Sequence, residues 1–241
     1  MTTSKAAGEE IRMDLKCHTN FEVEGAIHKE GIYYTVTATD GRIILKGDIF
    51  SLTCSDNQLT QLDISKNSYM AVLYCHNNKL TQLDLSKNLY IQVLHCHNNQ
   101  LSQLNVSQNT KLQELDCSEN QIKKEAMDAL IASLPDRSKE EEKGDFIVID
   151  TDGIEANVCT EKQVANAHAK GWIPKKWENG DRVDYEGSEE VAIDAILAQE
   201  EATIIAIYSV DGRRLAELQQ GVNIVRLSNG KTHKVLITDK Q

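Results

Sequence analysis

Between residues 49 and 122 the apolar positions of the chain come back at one interval. Leu52, Leu73, Leu94 and Leu115 are 21 residues apart, and so are Cys54, Cys75, Cys96 and Cys117. The same spacing holds for Asn57, Asn78, Asn99 and Asn120, and for Leu59, Leu80, Leu101 and Ile122. Side chains alternate along an extended chain, so a leucine and the cysteine two places on face the same side. Each unit therefore predicts one short strand, and the equal spacing predicts that these strands lie side by side in a parallel sheet. The asparagine three places after each cysteine falls where the chain turns in. Its amide can pair there with backbone groups that no flat ladder reaches.

Each unit also carries an internal echo, since Leu80-x-x-Leu83-x-Leu85-x-x-Asn88 copies Met70-x-x-Leu73-x-Cys75-x-x-Asn78. A coil of two half-turns follows, with a second narrow ribbon of extended chain expected at residues 63–65, 84–86 and 105–107. The whole unit, L-x-C-x-x-N-x-L-x-x-L-(D/N)-(I/L/V)-S-x-N, is the pattern of a leucine-rich-repeat solenoid. With about 4.8 Å between stacked strands, the four units form a slab roughly 19 Å long. Neither end of such a stack buries its own apolar face, so both ends need caps.

The flanks supply them. Ile11, Met13, Leu15 and Cys17 alternate, and residues 32–36 and 43–45 are further strand candidates separated by turn residues Glu30-Gly31 and Asp40-Gly41. Residues 1–48 thus read as an antiparallel β cap over the first coil. Beyond the repeats, Met127, Leu130, Ile131 and Leu134 recur at helical spacing before Pro135. Phe146-Ile147-Val148-Ile149 is strand-like and extends the main sheet by one position. Thr160 and Gln163 form a capping box for a helix over 161–170 that Gly171 ends. Residues 123–175 read as the C-terminal cap and the polar, acidic run 176–189 as a linker. Period-two patterning returns in 190–241, where Asp211-Gly212 and Asn229-Gly230 mark hairpins and predict a small, sandwich-like antiparallel β domain. The fold class is mainly β with a few helices, α+β.

Alternation also names the side chains that leave the core of the repeats: Ser51, Thr53 and Ser55; Val72, Tyr74 and His76; Val93, His95 and His97; Glu114, Asp116 and Ser118. Tyr74, His95 and Asp116 fall in one column, with His76 and His97 in the next. These five are the candidate binding residues, because aromatic and imidazole groups on a concave sheet suit recognition. Histidines of ordinary pKa, about 6.5, would make such a contact pH-sensitive. Three imidazoles on one face raise zinc as an option, but a rigid flat sheet seldom converges them, and no metal or other cofactor is expected.

Composition narrows the function classes. A net charge of −11, from 37 acidic and 26 basic residues, argues against nucleic acid and anionic headgroups, both of which need basic stripes. There is no run of roughly 18 apolar residues and no apolar core in the first residues, so no membrane insertion is expected and any signal peptide is read as removed. Four of the six cysteines belong to the ladder, where they act as small hydrophobes, and Cys17 and Cys159 sit on opposite flanks. No G-x-S-x-G, H-E-x-x-H, Walker loop or G-x-G-x-x-G occurs, and Asp150-Thr151-Asp152-Gly153 lacks the later carboxylates of a calcium loop. The chain is read as non-enzymatic.

The runs LTQLDLSKN, LHCHNNQLSQLNVSQN and LQELDCSENQI, followed by AMDALIASLPDRS, resemble the secreted or surface-anchored leucine-rich-repeat proteins of Bacteroides-type bacteria over residues 41–172. The tail, IYSVDGRRLAELQQGVNIVRLSNGKTHKVLI, is similar to the C-terminal β domains that act as sorting signals in type IX secretion. The resemblance implies an extracellular or cell-surface protein that binds a host or bacterial surface protein, with a glycan as a further candidate, and is exported or anchored through its tail. Two other readings stand beside it: a structural surface spacer with no dedicated ligand, and a metal- or glycan-binding site at the histidine face.

Overall fold

The computed structural model describes residues 1–188, 203–219 and 221–237. The chain divides into two compact units, Met1–Gly187 and Ser188–Gln241. Among the described residues it is mainly β with two α-helices, neither of them long and apolar enough to cross a membrane.

The larger unit is built on an eight-stranded sheet. Ile49–Thr53, Val72–Tyr74, Val93–His95 and Glu114–Asp116 pair in parallel with Leu52, Leu73, Leu94 and Leu115 in register. Each 21-residue unit therefore returns the chain to the same place one strand along. The leucines and cysteines point inward and are buried, and all four ladder cysteines are free thiols. Gly144–Asp150 adds the next parallel strand, setting Phe146 beside Leu115. Trp172–Glu178 adds another in parallel, and Asp181–Asp184 closes that edge antiparallel. At the opposite edge Asp14–Cys17 lies antiparallel on Ile49–Thr53, so the N-terminal cap covers the first coil by joining its sheet. The rest of the cap forms a three-stranded sheet, from Glu10–Arg12, Tyr33–Val36 and Ala26–Glu30, and the strand pair Glu22–Glu24 with Ile44–Lys46, with its own core of Ile11, Met13, Tyr34, Val36 and Ile43, while Thr2–Thr3 pairs with Leu59–Gln61 of the first coil.

A spine of asparagine amides holds the coils together. Asn99 Nδ2 donates to the carbonyls of Cys75 (3.0 Å) and Cys96 (3.1 Å), while its Oδ1 accepts from Leu80 N at 2.9 Å. Asn78 and Asn120 repeat the arrangement one coil either side. Asn157, far along the chain, completes it by donating to Cys117 and Val148 and accepting from Ile122 N. Asn57 ties the other end to the backbone of Arg12 in the cap. The residue before each of the four repeat asparagines, Asp56, Asn77, Asn98 and Glu119, has positive φ between 48° and 62°, the left-handed turn that aims the next amide into the spine.

The inner half-turns depart from the expected ribbon. Residues 63–65, 84–86 and 105–107 carry no strand pairing. Instead Asp63, Asp84 and Asn105 accept from the backbone N–H two residues on, so the side chain makes a local turn in place of a ladder. A second amide row lies beside these turns, with Asn88 donating to Ile64 and Asn67 and Asn109 donating to Leu85 and Asn88.

The helix Glu125–Ser133 buries Met127, Leu130 and Ile131 against the last coil. Glu161–Ala169 begins at the capping box of Thr160 and Gln163, and Gln163 Nε2 reaches Asp128 of the first helix at 2.9 Å. The stretch read as a linker, 176–189, is corrected over most of its length, because Trp172–Glu178 and Asp181–Asp184 form a hairpin there. The last part of it, with the expected domain start at 190, falls outside the described residues.

In the smaller unit the described strands form one antiparallel sheet in the order Arg214–Leu215, Ile204–Ser209, Gly221–Leu227, Thr232–Ile237. A second layer, as a sandwich requires, is not among the described residues. Gly212 and Gly230 turn at φ of 81° and 86°.

Candidate functional site

The parallel register places Tyr74, His95 and Asp116 side by side across three strands. The ring of Tyr74 meets His95 edge-on, with centroids 4.7 Å apart. In the next column His76 and His97 lie parallel, with centroids 4.3 Å apart and planes 8° from coplanar. Ser55 Oγ is 3.0 Å from His76 Nδ1. The four rings are half-buried and form one continuous patch on the outer face of the sheet.

The fifth predicted residue behaves differently. Asp116 is 0% exposed and Ser118 is 0% exposed, although both were expected to face solvent. Trp177 of the hairpin Trp172–Glu178 and Asp181–Asp184 reaches over Asp116. Trp177 Nε1 donates to Asp116 Oδ2 at 3.1 Å, and Ser118 donates to Oδ1 through its hydroxyl at 2.8 Å and its backbone N–H at 3.2 Å. Asp116 is therefore a buried anchor beneath the patch and not an exposed contact residue. Its burial pushes the carboxyl upward, but His97, Ser118 and Trp177 together outweigh that and hold it below the usual carboxylate range.

Beside it, Glu114 Oε1 is 2.7 Å from His95 Nε2 and accepts from Arg182 Nη1 at 2.7 Å. Burial raises that carboxyl, and the hydrogen bonds from His95 and Arg182 with the Arg182 charge lower it, the lowering being dominant. Arg182 also stacks over Trp177, 4.9 Å from the ring centroid. Trp177 and Arg182 belong to the site, and sequence reading placed them in a linker. The signal was present in Asn179-Gly180, both at positive φ, the pair that a two-residue hairpin demands. Pro174 obscured it, since a proline within a run speaks against a central strand.

Burial and its stacked partner His97 drive His76 down to a pKa of about 4. The acid sensitivity expected near 6.5 is therefore absent at this imidazole, which stays neutral well below pH 6. The three histidines do not converge on one point, because His76 stacks face to face on His97. The potential ligand atoms that do converge are one each from His95, His97 and Asp116, all within 4.8 Å of one another.

A scan against known protein families finds no match, and a search of curated proteins finds no relative. Among solved structures, the functional domain of InlJ from Listeria monocytogenes, which includes a cysteine ladder, is 24% identical to this chain. The match covers 60% of this chain and 27% of that one at a TM-score of 0.37, a likeness too slight to carry an argument about fold or function.

Proposed function

We propose that the chain is a non-enzymatic recognition module of a secreted or surface protein, in which a leucine-rich-repeat solenoid presents a binding face to a protein partner. The observation that carries this reading is the ring patch itself: Tyr74, His76, His95 and His97 form a continuous, half-buried set on a sheet whose inner face is locked by leucine, cysteine and asparagine ladders. A rigid scaffold with aromatic groups fixed in place loses little side-chain entropy on binding, which is what recognition surfaces exploit. The resemblance to Bacteroides-type surface repeats, and of the tail to type IX sorting domains, adds export or anchoring to the proposal. Replacing Tyr74 and His95 together by alanine is expected to abolish capture of the partner from host-cell or bacterial surface extract and to leave the melting temperature nearly unchanged. Capture equal to that of the unmodified chain would leave the repeats as a spacer.

A further inference from the structure

We infer that His95, His97 and Asp116 form a binding site for a divalent cation of the zinc class, held by two imidazoles and one carboxylate. This goes beyond partner recognition and does not rest on it. The argument begins with His97, whose Nδ1 is buried without a well-directed hydrogen bond and lies 3.3 Å from the fully buried Asp116 Oδ2. Two lone-pair donors facing each other at that distance repel unless a cation, either a proton or a metal ion, lies between them. Metal–ligand bonds of about 2.0–2.2 Å in a tetrahedral zinc site put ligand atoms roughly 3.3–3.6 Å apart. The His97–Asp116 pair already has that separation. The third ligand atom, from His95, lies within 4.8 Å of both and has to close by roughly 1 Å to reach bonding range.

The surroundings match those of a metal site. Ligating carboxylates are held by outer hydrogen bonds, as Asp116 is by Ser118 and Trp177. Ligating histidines commonly give their other ring N–H to a carboxylate, and His95 Nε2 sits 2.7 Å from Glu114 Oε1. That bond makes Nε2 the donor and leaves Nδ1 with the lone pair in the neutral ring. Three protein ligands leave a coordination position open on the outer face. Nitrogen and oxygen donors of this kind suit zinc, nickel or cobalt better than calcium or magnesium.

The test uses the full chain, stripped with a chelator, desalted and titrated with zinc chloride in a calorimeter. One zinc per chain is expected, with His95→Ala and His97→Ala each weakening binding at least tenfold and the exposed His168→Ala leaving it unchanged. His95 lies on the outer face of the sheet and Glu114 keeps Arg182 as a partner when it is replaced, and a thermal melt of each variant checks that the fold is kept. Cobalt in place of zinc is expected to give visible d–d absorption without the thiolate charge-transfer band that Cys96 or Cys117 would produce. The proposal is overturned by the absence of stoichiometric zinc uptake, by equal uptake in both histidine variants, or by a thiolate band. Partner capture measured in excess chelator separates this claim from the recognition reading, since loss of zinc uptake and loss of capture are then read independently.

Discussion

At the scale of single residues, the asparagine spine shows why a polar side chain can be the least replaceable group in an apolar core. Asn99 donates to the carbonyls of Cys75, Cys96 and His97 and accepts from the Leu80 N–H, so one amide joins two successive coils. Alanine in its place leaves the buried Leu80 N–H without its acceptor, while the Cys75 and Cys96 carbonyls each keep one amide donor, from Asn78 and Asn120, so the variant Asn99→Ala is expected to lose about 1–3 kcal/mol. A denaturant midpoint close to that of the unmodified chain would mean that water or backbone shifts replace the amide. A different balance holds at Glu155, whose carboxylate accepts from the backbone N–H groups of Glu119, Asp150 and Asn157. Burial nonetheless raises its pKa from 4.5 to about 7. A carboxyl raised on folding binds its proton more tightly in the folded chain. Its contribution to stability is thus complete below pH 4.5 and is lost as pH rises through 7. Glu155→Gln should remove that slope, so the gap in melting temperature between variant and parent shifts in the variant's favour from pH 5 to pH 8. Parallel curves across that range would contradict the assignment.

At the scale of elements, the repeats were legible because their information is periodic. Leucine, cysteine and asparagine recur every 21 residues, and the strands pair in the register which that spacing implies. The capping box at Thr160 and Gln163 was equally plain, since both halves are local in sequence. Two elements were read wrongly for physical reasons. The inner half-turns copy the strand pattern in their apolar residues, but Asp63, Asp84 and Asn105 bond locally to the chain and pre-empt a ladder. The terminal hairpin is polar because one side of it lies at the sheet edge, so composition resembled a linker while Asn179-Gly180 specified a turn. Its cost to the site reading was the burial of Asp116, which strand alternation within the repeats could not reveal, because the covering tryptophan lies 61 residues away. Trp177→Phe keeps the ring beneath Arg182 and removes the N–H that reaches Asp116. A loss of about 1.5–3 kcal/mol in denaturant unfolding is expected, as for a hydrogen bond to a buried charged group. An unchanged midpoint would show that the indole contributes by packing alone.

At the scale of the whole molecule, the proposed function divides two tasks between the two faces of one sheet in the larger unit. The inner face carries leucines, cysteines and asparagines that fix the stack. The outer face carries the rings of Tyr74, His76, His95 and His97, and their replacement by alanine is expected to leave that stack folded. The positions of four of the five predicted contact residues followed from alternation, and so did their division into two columns. The electrostatic setting of the patch did not, because Glu114, Asp116, Trp177 and Arg182 are brought together by strand order beyond the repeats. The measurement that tests this division most directly is amide hydrogen exchange on the unmodified chain, alone and with its captured partner bound. Slowed exchange confined to residues 72–76, 93–97 and the hairpin strands Trp172–Glu178 and Asp181–Asp184 is the result predicted for recognition through the ring patch. Protection elsewhere on the larger unit, with these segments exchanging as in the free chain, would contradict it.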